Sequence, residues 1–166
     1  MDINEKLFMA VERGDRSSAA SLIAAGANIN GRTDLGEGVW SFVAPLGIRA
    51  VDCALEFGAD PNLLDAAGRS PLYWVVCADA PDIACRLIDA GAQMDAELDA
   101  TKFNIIHEAA FAGHEAVLSV LVQRASLELL EAENVLDRTP IDEANAADHI
   151  NCSRIIALEI ARRKRE

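Results

Sequence analysis

The stretch NIIHEAAFAGH, residues 104 to 114, holds the side chains of this sequence that come closest in type to a metal site. A zinc-binding helix of the form H-E-x-x-H needs histidines four residues apart, so that both nitrogens point from one face toward one ion. Phe111 stands four residues after His107, and His114 lies a further turn along, roughly 10 Å of axial rise from His107. The spacing therefore excludes a shared zinc ion, and we predict no metal and no cofactor.

Other catalytic patterns are missing from the sequence. It has no G-x-S-x-G elbow, no phosphate-binding G-x-x-x-x-G-K-[ST] loop and no glycine-rich dinucleotide turn. Cys77 or Cys85 could in principle pair with His107, which leaves a hydrolase with an unrecognised site as a remote alternative. We predict that the chain is not an enzyme.

The composition indicates a soluble helical protein of ordinary size. The chain has 166 residues, of which 51% are hydrophobic but only 5% aromatic. Without a C-x-x-C pair, the cysteines are expected to be reduced core residues; they are Cys53, Cys77, Cys85 and Cys152. No stretch has the features of a signal peptide or the length of a membrane span, so we predict a cytoplasmic protein.

Charge favours one class of partner. The net charge is −12, which opposes binding to nucleic acid and would attract a basic protein. We predict neither a nucleic-acid nor a membrane partner. The alternative is that acidity only keeps the protein dispersed. Residues 162–165 form a short basic run, which we interpret as a helix end that complements the helix dipole rather than as a nucleic-acid patch.

The sequence repeats with a period near 34 residues. Related segments begin at Asp65, Asp99 and Asn134, and two more degenerate ones precede them, the second of which begins at Thr33. We divide one domain, 1–166, into repeats 1 to 5, at about 1–32, 33–64, 65–98, 99–133 and 134–161, with a basic tail at 162–166.

Each repeat has the pattern of a helical hairpin. An Asp- and Gly-rich turn precedes an apolar stretch, a break, and a second apolar stretch that ends in Gly-Ala or its equivalent. The breaks fall at Gly14, Gly47, Asp79, Gly113 and Asp148. Neither helix is long enough to be stable alone, so neighbouring hairpins must bury each other. The pattern predicts an all-α solenoid of about five helix-turn-helix units with short hairpin loops.

The repeats resemble those of the ankyrin repeat family. The family pattern D-x-x-G-x-T-P-L-H-x-A, then G-H, then L-L-x-x-G-A-D-x-N, is matched by DAAGRSPLYWV, IIHEA with GHEAVLSVLV, DRTPIDEA, GADPN and GANIN, across about residues 5 to 160. The family histidine is kept only at His107, and Thr-Pro only at 139–140. Repeat 2 deviates most, because Trp40 and Pro45 lie in a shortened first helix.

The resemblance assigns structural roles to several residues. It implies that His107 hydrogen-bonds within its own turn and to the adjacent repeat, while Glu108 points outward and His114 and His149 are solvated. Ser70 and Thr139 are expected to cap first helices, and a proline fits the first helical turn. A left-handed residue after the second helix is expected at Gly26, Gly58 and Gly91.

The resemblance also implies a protein-binding face on the hairpin tips and first helices, which form a concave surface in this family. By alignment the partner-binding residues are Asp34, Leu35, Glu37, Arg69, Cys77, Thr101, Phe103, Phe111, Val135, Leu136 and Arg138. Apolar tips are unusual in water, so the apolar members predict a broken strip with an acidic rim, with Phe103 and Phe111 as anchors. The alternative is that Val135 and Leu136 fold back over neighbouring repeats.

We predict a non-catalytic protein–protein interaction module that is monomeric when unbound. A specific form would be an inhibitor or immunity-type protein that masks the basic surface of a nuclease or another toxin. A self-associating structural or scaffold protein is the main alternative.

Overall fold

The chain is helical in the computed structural model, which describes residues 1–43, 47–95 and 102–165. These described ranges contain no β-strand. Their helices are α1 (Ile3–Glu12), α2 (Arg16–Ala24), α3 (Val39–Val43), α4 (Ile48–Glu56), α5 (Pro71–Cys77), α6 (Pro81–Asp89), α7 (Ile105–Ala112), α8 (Glu115–Arg124), α9 (Leu127–Glu131), α10 (Pro140–Ala146) and α11 (Ile150–Arg163). The prediction of an all-α repeat fold is confirmed.

Short turns join the helices in pairs, and each turn contains a left-handed residue. All five predicted breaks have positive φ: Gly14 at 68°, Gly47 at 103°, Asp79 at 47°, Gly113 at 74° and Asp148 at 62°. In several turns the next N–H returns to a carbonyl of the first helix, as in His114 to Ala109 at 3.0 Å and His149 to Ala144 at 2.8 Å. This hydrogen bond closes the first helix and allows the second to start almost at once.

The second helices of the first three repeats end as their Gly-Ala pairs predict. Gly26, Gly58 and Gly91 have φ of 100°, 81° and 95°. The alanine that follows each glycine is buried, and its N–H donates to a carbonyl five residues earlier. Glycine supplies the left-handed conformation at no steric cost, and alanine fills the small space behind it.

Side chains cap the first helices at the predicted positions. The Ser70 hydroxyl accepts a hydrogen bond from the Tyr73 N–H at 3.2 Å, and Thr139 forms a reciprocal capping box with Asp142. Pro71 and Pro140 begin α5 and α10, where a missing N–H is not needed. In repeat 2, α3 spans only five residues, and Pro45 lies outside the described residues.

The chain forms two compact units. Compact unit 1 comprises Met1–Trp74 and Arg86–Ala92. Its fully buried side chains include Leu7, Phe8, Val11, Val39, Val51 and Leu87. Within it, the last asparagine of each G-A-x-x-N loop bonds to the next loop: the Asn30 and Asn62 amides donate to the Gly58 and Gly91 carbonyls at 2.9 and 3.0 Å. The asparagine of the repeat pattern therefore ties successive loops together.

Compact unit 2 comprises Val75–Cys85 and Gln93–Glu166. Here α7 packs against α8 and α10, and α11 packs against α8, α9 and α10. Fully buried side chains in this unit are Ile106, His107, Leu118, Leu121, Leu130 and Ile156. The prediction that all 166 residues form one domain with the repeat boundaries given above stays a prediction.

Candidate protein-binding surface

His107 is a buried brace in compact unit 2. Its Nδ1 accepts the Asn104 N–H at 3.3 Å, which places the proton on Nε2, where it points to the Arg138 carbonyl at 3.0 Å. Burial lowers the pKa of His107, although the bond to the Arg138 carbonyl and the charge of Glu143 act against this. The prediction of one bond within its own turn and one to the adjacent repeat is confirmed.

The other two histidines are only partly solvated, because each also packs against a neighbouring repeat, which the prediction of solvated side chains missed. Both are only half-exposed, and His114 places Nδ1 2.8 Å from the Val76 carbonyl. The His149 ring lies against Gly113, where an added Cβ would be 2.6 Å from Cε1 of the imidazole. Each of these histidines follows the left-handed residue of a hairpin turn and packs on the turn of the preceding repeat.

The chemistry considered for the cysteines finds no support in this geometry. All four thiols are free. Burial raises the pKa of Cys53 and Cys152, which opposes a nucleophilic role for these two alone. Both ring nitrogens of His107 already bond to backbone atoms, so they are not available to Cys77 or Cys85. Within 1–43, 47–95 and 102–165, no three histidine, cysteine, aspartate or glutamate side chains are grouped to hold a metal ion.

An aromatic cluster covers the start of repeat 4. The Phe103 ring is half-buried and lies 5.2 Å from the His107 ring, and its centroid is 6.5 Å from that of Phe111 in an edge-on contact of 79°. Phe111 itself is 52% exposed. Thr101, the other predicted binding residue here, lies outside the described residues.

The tip of repeat 5 presents two apolar side chains to solvent. Val135 is 52% and Leu136 64% exposed, so the alternative in which they fold back over neighbouring repeats is wrong. The Asn134 side chain holds this tip, because its oxygen accepts the Leu136 and Arg138 N–H groups at 2.8 and 3.2 Å. A fixed turn with Asp137 at φ 54° therefore displays the apolar pair, with the exposed Arg138 guanidinium beside it.

Phe103, Phe111, Val135 and Leu136 are referred to below as the Phe111 surface. All four belong to compact unit 2. They are linked through His107: its ring contacts Phe103, and its Nε2 bonds to the Arg138 carbonyl in the turn that carries Val135 and Leu136. Cys77 belongs to the same unit, where its thiol donates to the Glu108 carboxylate at 3.7 Å. Glu108 is thus half-buried rather than simply pointing outward.

Compact unit 1 holds the remaining predicted residues. Asp34, Leu35 and Glu37 are exposed on the tip of repeat 2, with Leu35 83% exposed. The Thr33 hydroxyl accepts the Leu35 and Glu37 N–H groups at 3.3 and 3.2 Å, and the Asp2 carboxylate accepts the Asp34 N–H at 2.7 Å. This tip is also held by hydrogen bonds rather than left loose.

Arg69 lies in a cluster with a residue that the alignment does not single out. Its guanidinium is 4.1 Å from the centroid of the exposed Trp74 ring, and Asp65 accepts hydrogen bonds from Arg69 Nε at 3.0 Å and Trp74 Nε1 at 3.1 Å. Burial acts to raise the pKa of Asp65, but these bonds and those from the Arg69 and Ala67 N–H groups lower it overall. The sequence feature that could have indicated Trp74 is an aromatic residue directly after the histidine position of the repeat.

The comparisons with known proteins agree with this geometry. A family model described as ankyrin repeats, in three copies, matches residues 40–131, more than half of the chain, and no curated protein matches it. Ankyrin repeats generally mediate protein–protein interaction and are generally non-catalytic. None of the helices described here is both long enough and apolar enough to cross a bilayer. The hairpins, their left-handed turns and the matched model together place this chain in the ankyrin repeat family.

Proposed function

We propose that this protein is a non-catalytic binding module that captures a basic protein partner through the Phe111 surface. The observation that carries the proposal is the exposure of Phe111, Val135 and Leu136, each at least half open to water. Exposed apolar side chains grouped on a folded surface are typical of interaction sites. Aromatic residues such as Phe111 contribute strongly to binding when a partner buries them.

The supports of this surface favour tight binding. Phe103 fixes Phe111 from the side, His107 supports Phe103, and Asn134 fixes the tip of Val135 and Leu136. Side chains that are already ordered lose little conformational entropy when a partner docks. The Phe111 surface is therefore a preformed site rather than a segment that orders on binding.

The charge of the chain supports a basic partner. A net charge of −12 attracts positively charged proteins over distance and discourages acidic ones. Inhibition is the finer form of the proposal: the module would mask the basic surface of a nuclease or another toxin, as an immunity protein does. That form predicts loss of the partner's activity in the complex.

Affinity capture tests the proposal. The tagged protein retains a partner from its source, the partner is identified and purified, and its affinity is measured for Phe111→Ser and Leu136→Ser. Each substitution should weaken binding by about tenfold or more if these side chains are anchors. The matched control is Leu158→Ser, because Leu158 is 68% exposed on α11 of the same compact unit. Equal affinity of all three variants and the parent would refute the proposal.

Self-association is the second candidate, since an exposed apolar surface can also bury itself against a second copy. The like charge of two copies opposes their approach. Light scattering separates the two candidates. If the mass rises with protein concentration and Phe103→Asp has the mass of the monomer, the Phe111 surface serves self-association.

A further inference from the structure

Helix α7 has only one face that is not buried. Its residues Ile105, Ile106, His107, Ala109 and Ala110 are buried. Glu108, Phe111 and the small Ala112 remain accessible, and a spacing of three residues places Glu108 and Phe111 side by side on the helix surface. The accessible face of α7 therefore combines a carboxylate with an aromatic ring.

The Glu108 carboxylate has an incomplete set of partners. Among the described residues its side-chain hydrogen bond comes from the Cys77 thiol at 3.7 Å. A thiol is a weak donor, and a half-buried carboxylate has lost part of its hydration. A cation placed here would therefore gain more than one placed beside a fully solvated glutamate.

The Phe111 ring adds a second attraction for a cation. Phe103 contacts it edge-on, and about half of the Phe111 side chain stays open to solvent. An aromatic face carries negative electrostatic potential and attracts an ammonium or guanidinium group.

Compact unit 1 contains a carboxylate, a guanidinium and an aromatic ring in mutual contact. There the Arg69 guanidinium lies 4.1 Å from the Trp74 ring centroid and donates to the Asp65 carboxylate at 3.0 Å. The repeat positions differ, since Trp74 corresponds to Glu108 and Cys77 to Phe111. The Arg69 cluster therefore illustrates the chemistry of such a site and not its position in the repeat.

We propose that Glu108 and Phe111 bind the guanidinium of an arginine side chain supplied by the protein partner. The carboxylate pairs with the fork of N–H donors while the planar group lies on the ring, a combination that arginine makes better than lysine. This inference rests on the proposed function, because it names what the basic partner places on the Phe111 surface.

Titration with a small probe tests this site without the partner. The peptide acetyl-Gly-Arg-Gly-amide is added to the isotope-labelled full chain, and amide shifts are followed by NMR. We expect saturable shifts in α7, weaker binding of the lysine peptide, and none for the uncharged citrulline peptide. Glu108→Gln and Phe111→Leu should each weaken binding by about fivefold or more. Glu128→Gln is the control, because Glu128 is exposed on α9 of the same compact unit.

Any of the following results would overturn the assignment: amide shifts confined to regions outside α7, equal binding of the arginine and citrulline peptides, or parental affinity of Glu108→Gln for the arginine peptide. Preferred binding of the lysine peptide would likewise reject a guanidinium site. The purified partner separates this inference from the proposed function. If Leu136→Ser weakens capture and Glu108→Gln does not, the Phe111 surface binds the partner and the arginine site is wrong. If neither changes capture, the proposed function itself fails.

Discussion

His107 shows how one residue can serve stability in a position that looks chemical. Its ring is fully buried, and both nitrogens bond to backbone groups, one in its own turn and one in the next repeat. Removing a partner from such a buried pair leaves polar groups unsatisfied and costs roughly 1–3 kcal/mol each. The brace also positions Phe103, so this residue contributes to the Phe111 surface without touching a partner.

Acid should weaken this brace. Burial lowers the pKa of His107 below its ordinary value of 6.5. The unfolded chain therefore takes up the proton first, so the contribution of the neutral ring is present above pH 6.5 and is lost as pH falls from there through the folded pKa. Urea unfolding at about pH 7.5 and 5.5 should show the parent losing stability, and His107→Gln should lose less because it cannot titrate. An identical loss in parent and variant would contradict this role.

Residues governed by backbone geometry could be predicted from the sequence. Of the contacts between repeats, the sequence predicted that of His107, which the family pattern specifies, but not those of His114 and Trp74. The breaks at Gly14 and Asp148 follow from the left-handed turn that a tight hairpin needs. His114 looked solvated because nothing local occupies its ring, yet the carbonyl it meets belongs to Val76, one repeat earlier. Trp74 was missed for the same reason, since its importance comes from Arg69 and Asp65 around it.

Among the elements, α11 uses its basic end to complete another helix. Arg163 donates to the carbonyls of Ala125 and of Val122, the latter at 2.6 Å, at the carboxyl end of α8. Arg162 and Arg163 both bond to Glu159 and lower the pKa of that carboxyl to about 2. The basic run thus ends a helix, as the sequence predicted, and it also satisfies carbonyls that α8 leaves unpaired.

Removing this cap should destabilise compact unit 2. Arg163→Ala leaves the Val122 and Ala125 carbonyls without their donor, and we expect a loss of about 1–3 kcal/mol in the free energy of unfolding. Arg165→Ala is the matched control, since Arg165 is exposed and should change stability by less than about 0.5 kcal/mol. Urea denaturation followed by circular dichroism measures both. Equal stability of the two variants would show that the cap contributes nothing.

The insertion in repeat 4 marks the limit of reasoning from a repeat pattern. The segment LELLEAEN, residues 127–134, leads into repeat 5 and is not part of the hairpin pattern, so the pattern predicts no helix there. It forms α9, capped by Ser126, with Leu130 fully buried. Asn104, the cap of α7, donates to the Leu129 carbonyl at 3.1 Å. A spacing rule describes only the elements that recur, and α9 is held by contacts that occur once.

Across the whole molecule, many cations are used internally. Arg16, Arg86 and Lys164 pair with Glu56, Asp52 and Glu131 at 2.5–2.6 Å. Each pair neutralises one acidic and one basic side chain, so the excess of 27 acidic over 15 basic residues still gives a net charge of −12. Exposed pairs of this kind contribute little to stability. The unpaired acidic excess makes the long-range field of the protein negative, and this field acts on the encounter with a partner rather than on the fold.

This separation predicts that salt and side-chain truncation act on different rate constants. Raising salt from about 50 to about 300 mM shortens the screening length to less than half, so association with the captured basic partner should slow by about tenfold, with little change in dissociation. Leu136→Ser should do the reverse, since it removes apolar contact and leaves the charge at −12. Stopped-flow or surface-based kinetics give the association and dissociation rate constants of the parent and of this variant at both salt concentrations. Association that is insensitive to salt would mean that the acidic field does not recruit the partner, and that the Phe111 surface alone accounts for recognition.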